Sequence, residues 1–106
     1  MVRRQVQVEE TIAHHAADFL AREGGVKALL TVTHADMSPS YKETTVYFSV
    51  LPATMEADAL KFAKRARSDF RDYLRTHTKL HPIPTVDFAI DLGEKNRQRI
   101  DELTRK

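Results

Sequence analysis

The chain has 106 residues, 42% of them hydrophobic, no cysteine and a net charge of +2. Such a length holds one domain that can bury roughly two thirds of its unfolded surface without staples, and the missing thiols exclude disulfides, thiolate zinc sites and thiol catalysis and fit a reducing cytoplasm. No apolar run reaches the ~20 residues that cross a bilayer, and Met1-Val2-Arg3-Arg4-Gln5-Val6 carries charge with no apolar stretch behind it, so neither a membrane span nor a signal peptide is expected.

Val8, Ile12, Ala16, Phe19 and Leu20 recur at spacings of three and four, which predicts a helix over 5–22 ended by Gly24-Gly25. The β-branched run within 27–37 predicts a strand. Ser38-Pro39-Ser40 is a turn, since proline presets φ and serine hydroxyls bond nearby backbone. Over 43–51, Val46, Phe48 and Val50 alternate with Tyr47 and Ser49, which predicts a second strand and an antiparallel hairpin. Pro52 ends it. Thr54 is the expected N-cap of the next helix, with Glu56 and Asp58 in the first turn, where the helix dipole favours acids.

That helix runs to about residue 78, with Leu60, Ala63, Ala66, Phe70, Leu74 and His77 on one face. A straight rod of that length would measure roughly 37 Å, too long for a domain with a radius of gyration of ~13 Å. A bend is expected at Ala66-Arg67-Ser68. Pro82 and Pro84 break the pattern, and Val86, Phe88 and Ile90 face the core from a third strand over 85–91. The segment from Gly93 to Lys106 is expected to add a short, loosely packed helix. The whole reads as one α+β domain over 1–106, flexible at 1–4 and 93–106, in which helices cover one face of a three-stranded sheet.

The charge is unevenly spread. Lys61, Lys64, Arg65, Arg67, Arg71, Arg75 and Lys79 face only Asp69 and Asp72 in the same segment, a local +5 that leaves −3 for the rest. Lys64, Arg67, Arg71 and Arg75 step by three and four and so share a helical face. Several phosphates held on such a ridge would give salt-dependent affinity; the alternative is an ordinary solvated face. Arg3 and Arg4 could extend the footprint.

Other chemistry finds little support. His14 and His15 are adjacent and point about 100° apart on a helix. His77 and His81 have chelating spacing, but Pro82 follows at once and no carboxylate motif accompanies them, so no metal site is expected. Ser38 and Ser40 lie in a turn rather than a nucleophile elbow. Gly24, Gly25 and Gly93 match no phosphate loop. No cofactor and no catalytic residue is expected. The order helix, strand, strand, helix, helix, strand is that of a type II KH domain, but no two glycines stand three apart, so the GXXG clamp on single-stranded RNA is missing.

Several segments are together similar to the ribosome-binding factor A family. Val32-Thr33-His34-Ala35-Asp36-Met37-Ser38-Pro39-Ser40-Tyr41 and Thr45-Val46-Tyr47-Phe48-Ser49-Val50-Leu51 resemble its hairpin. Ala66-Arg67-Ser68-Asp69-Phe70-Arg71 resembles its helix kink, with Ser68 in place of the kink glycine. His81-Pro82-Ile83-Pro84-Thr85-Val86-Asp87-Phe88 and Arg99-Ile100-Asp101-Glu102-Leu103 resemble its closing segments.

The resemblance implies a KH-like fold without GXXG. It also implies a cytoplasmic factor that binds the small (30S) ribosomal subunit through 16S rRNA, assists its late maturation and matters most in the cold. Lys61, Lys64, Arg65, Arg67, Arg71, Arg75, Lys79 and His81 are the expected rRNA contacts, mostly to phosphate, so rRNA shape would be read more than sequence. A monomer is expected, with an assembly GTPase as a candidate partner. The rival readings are a general single-stranded RNA-binding module, which would stack bases on exposed tyrosines from among Tyr41, Tyr47 and Tyr73, and a protein-interaction or ligand-sensing domain.

Overall fold

The computed structural model describes residues 2–23 and 27–93. The expectations for Gly24-Gly25, for the Arg3 side chain and, beyond Gly93, for the closing helix lie outside the described residues. The element order is α1 (Val2–Glu23), β1 (Leu29–Met37), β2 (Glu43–Leu51), a 3-10 turn (Ala53–Met55), α2 (Glu56–Arg65), α3 (Arg67–His77) and β3 (Thr85–Ile90). The strands lie in the order β1-β2-β3, antiparallel between β1 and β2 and parallel between β2 and β3. The α2–α3 pair provides the crossover that a parallel pairing needs.

The apolar stripe of α1 buries Ile12, Ala16, Phe19 and Leu20 against the sheet, with Val8 half-buried beside them. The polar side of its first turns also serves the sheet. Gln5 Nε2 donates to the Met37 carbonyl at 2.9 Å, and Glu9 Oε2 accepts the Met37 N–H at 2.7 Å. The two residues are one turn apart and so lie on one face, where they satisfy the main chain of an edge strand at its end.

β1 starts two residues later than expected and is not regular. Val32 pairs with Phe48 but His34 pairs with Tyr47, so Thr33 is an extra residue, a β-bulge. Both Thr33 and His34 are exposed, while Ala35 and Met37 beyond them are buried. The turn after β1 is closed by Tyr41 N–H to the Ser38 carbonyl at 2.9 Å and Glu43 N–H to Ser38 Oγ at 3.1 Å. Tyr41 adopts φ 62°, a left-handed conformation that costs an L-residue with a side chain about 1–2 kcal/mol. In β2, Val46, Phe48 and Val50 are buried as the alternation requires.

Thr54 is not the helix cap. It lies inside the 3-10 turn that follows Pro52, and α2 begins at Glu56 after Met55, with no side-chain cap bond. A capping side chain needs extended backbone at the helix entrance, and Met55 N–H is already bonded to the Pro52 carbonyl at 3.0 Å. Glu56 and Asp58 do occupy the first turn.

The bend falls at Ala66, whose φ −87° and ψ 1° end α2 and start α3. Its N–H is shared between the carbonyls of Phe62 and Ala63, both at 3.1 Å, and its carbonyl accepts from Phe70 at 2.8 Å. These are dihedrals open to any L-residue near the bridge region, so no glycine is needed. Arg67 and Ser68 are already in α3.

Four phenylalanines join the layers: Phe19 lies 5.3 Å from Phe70, Phe70 5.7 Å from Phe88, and Phe88 6.3 Å from Phe48. Ala59, Ala63 and Leu74 complete the helix side of this core. Some residues expected at the core are not fully buried, Leu60 on α2 among them. Ile90 is half-buried at the end of β3, and His77 is exposed in the last turn of α3, stacked on Tyr73 at 3.8 Å.

Candidate nucleic-acid interface

The bend turns one row of cations toward β3. Lys64 Nζ lies 3.0 Å and Arg67 Nη1 3.2 Å from the same oxygen of Asp87. One turn further on, Arg71 donates to the carbonyls of Pro84 (3.0 Å) and Ile83 (3.2 Å). Arg75 pairs with Asp72 at 2.7 Å. The helical spacing does place Lys64, Arg67 and Arg71 on one face, but that face abuts the sheet edge. The idea of seven bases against two nearby acids is corrected here, because a third acid arrives from β3.

Burial opposes ionisation of Asp87. The hydrogen bonds from Lys64 and from Phe88 N–H, with the charges of Lys64 and Arg67, outweigh it and hold the carboxyl below its usual range. The three side chains are each about half exposed (42–48%), so these pairs are worth little and can exchange for phosphate.

The other four expected contacts differ. Lys61, Arg65, Lys79 and His81 are exposed, and none takes part in an ion pair among the described residues. Lys61 and Arg65 lie on α2. Lys79 and His81 lie in the loop before β3, where they meet residues far away in sequence. Together with Arg4, Tyr41 and the apolar Val8, Met37, Leu80 and Pro84, they line a pocket of about 360 Å³. Among the described residues no carboxylate lines it. Sequence reasoning named Tyr41 only among the tyrosines of the rival RNA-binding reading, and it missed the apolar floor and Tyr41's place beside Lys79 and His81. The available signal was Tyr41 itself, a tyrosine immediately after a Ser-Pro-Ser turn.

The histidines do not gather round a metal. His77 stacks on Tyr73 while His81 belongs to the pocket, and among the described residues no three His, Asp or Glu are placed to hold an ion. His15 sits between α1 and α3, 6.3 Å from His77. Burial, then the neighbouring charges of His14 and His77, lower its proton affinity against an opposing pull from Asp18. No helix among the described residues is long and apolar enough to cross a membrane.

A three-stranded α+β sheet with its helices on one face, a kinked helix pair where a glycine clamp would stand, and a surface of exposed cations define a KH-like binding protein. The fold matches the crystal structure of ribosome-binding factor A from Thermus thermophilus with a TM-score of 0.74 at 20% identity, over 81% of this chain and 94% of that one. The family model for ribosome-binding factor A matches residues 4–104, and the chain belongs to that family. It is 32% identical to ribosome-binding factor A of Nitrobacter winogradskyi, covering 96% of this chain and 78% of that protein. It is 31% identical to that of Latilactobacillus sakei, covering all of this chain and 93% of the other. The family consists of non-catalytic binding factors.

Proposed function

We propose that this protein binds the small ribosomal subunit through 16S rRNA and assists its late maturation in the cytoplasm, acting over 1–106 as a single KH-like RNA-binding domain. Family membership supports the ribosome as partner. The observation that carries the RNA reading is the set of exposed cations, Arg4, Lys61, Arg65 and Lys79, that have no acid partner among the described residues. Phosphates are the ligand that such unneutralised charges favour, through release of condensed counterions. Lys64, Arg67 and Arg75 would join by exchanging a carboxylate for a phosphate, and Arg71 would hold the loop that carries Lys79 and His81.

Sucrose-gradient fractionation of cells tests this reading. The protein is expected with free small subunits and not with translating ribosomes. A protein that stays at the top of the gradient at low salt would refute it.

A further inference from the structure

We infer that the pocket between α1, the β1–β2 turn and the loop before β3 takes one unpaired nucleotide of an RNA strand, with the base on Tyr41 and the apolar floor and the phosphate on Arg4 and Lys79. This rests on the RNA-binding reading above and gives it a specific site. The pocket lies apart from the Lys64–Arg67–Asp87 cluster, which faces the edge of β3.

Three observations carry it. The first is charge: Arg4 and Lys79 are fixed cations with no ion pair among the described residues, His81 adds an imidazole, and no carboxylate lines the pocket. The pocket therefore favours an anion.

The second is shape and polarity. Val8, Met37, Leu80 and Pro84 make an apolar floor, and about 360 Å³ lies within the usual span of small-ligand sites, roughly 300–1,000 Å³. A ligand with an apolar face and an anionic end fits, and a nucleotide has both. A duplex keeps its bases stacked inside, so only an unpaired unit can enter.

The third is Tyr41. The turn demands a left-handed backbone there, φ 62°, which Gly or Asn meets without strain. The main chain of the turn is fixed here by the Tyr41 N–H bond to the Ser38 carbonyl and the Glu43 N–H bond to Ser38 Oγ, and Tyr41, an aromatic residue, lines the pocket. Stacking on aromatics is how proteins grip unpaired bases with little regard to sequence. The source is taken to be a strand, because Arg4 and Lys79 are exposed and so open to a chain of phosphates running past the pocket.

The test uses the full chain. Amide spectra are followed while a uridine hexaribonucleotide or uridine monophosphate is added, and small-subunit co-sedimentation is measured for the wild type, Tyr41→Asn and Lys79→Glu. Asn accepts the left-handed backbone, and Lys79 is exposed, so both variants keep the fold, which their melting temperatures check. The hexamer is expected to move the amides of Ser38, 40–42, 79–81 and Ile83. Tyr41→Asn should weaken subunit binding roughly tenfold with the salt dependence unchanged, since a stack and not a phosphate contact is lost. Lys79→Glu should weaken it and flatten the salt dependence.

If the wild type binds subunits and both variants bind as well as it does, the pocket is not the site, and the ribosomal reading survives. If the wild type itself fails to bind subunits, both readings fall. If the monophosphate binds as tightly as the hexamer, the pocket holds a free nucleotide and the strand proposal is overturned.

Discussion

Arg71 holds Pro84 by the main chain: its Nε donates to the Pro84 carbonyl at 3.0 Å while Nη2 takes the carbonyl of Ile83 at 3.2 Å. The side chain therefore fastens α3 to the loop that enters β3. Hydrogen bonds from a charged donor are worth about 1.5–3 kcal/mol. Arg71→Ala should lower stability by about 2 kcal/mol, some 8–16 °C in melting temperature for a domain of this size. Lysine, with one compact ammonium, should not restore both bonds. Thermal denaturation decides; an unchanged melting temperature would make Arg71 free for RNA.

Asp87 restrains Lys64 and Arg67, so removing it should release two cations. Asp87→Asn is expected to bind small subunits more tightly at low salt, with a steeper salt dependence. Because the fold lowers the carboxyl's proton affinity, its contribution to stability is complete above the ordinary value of 3.8 and is lost as pH falls below it. The variant should lack that acid-side slope. Weaker subunit binding by Asp87→Asn at full stability would show that Asp87 itself meets the partner.

His15 shifts in the same direction, in a higher pH range. Its proton affinity is lowered in the fold from the ordinary 6.5, by burial first and then by His14 and His77. Protonation therefore favours the unfolded chain, and stability should fall as pH drops below that value. Its Nδ1 is buried with no hydrogen-bond partner among the described residues. An apolar replacement of similar volume, His15→Leu, should be neutral or stabilising by up to about 1 kcal/mol, with the larger gain on the acid side. Chemical denaturation at two pH values measures it, and an equal effect at both would refute the assignment.

The salt dependence counts contacts. Each phosphate neutralised adds about 0.7–0.9 to the slope of log K against log salt. Arg4, Lys61, Arg65 and Lys79 together should give a slope of about −3. Lys61→Ala with Arg65→Ala should reduce its magnitude by about 1.5 without changing the melting temperature, since both side chains are exposed. A slope left unaltered would remove α2 from the interface.

The parts of the fold open to reading were those set by local period. The stripe of Ile12, Ala16 and Phe19 and the alternation of Val46, Phe48 and Val50 each follow from one element meeting one apolar layer. The need for a bend followed from the helix's length, and its place from the short or polar side chains of Ala66-Arg67-Ser68. What escaped depends on partners distant along the chain. Lys64 looked unopposed because Asp87 is 23 residues away. Lys79 and His81 read as the end of a basic run, whereas folding sets them beside Arg4 and Tyr41. Thr54 had the right side chain for a cap, but the 3-10 turn after Pro52 had already taken the backbone away from it.

The bulge at Thr33 acts as a spacer within β1. Side chains along a strand alternate strictly, so a strand that ran through this residue without the bulge would turn everything from His34 to Met37 over. Asp36 would be driven among the phenylalanines, and Ala35 and Met37 would be left in water. The bulge thus absorbs one additional threonine while a histidine and an aspartate stay on the wet side and a methionine still reaches the interior, and loss of Thr33 would leave Val32 against Phe48 and His34 against Tyr47 in a regular ladder.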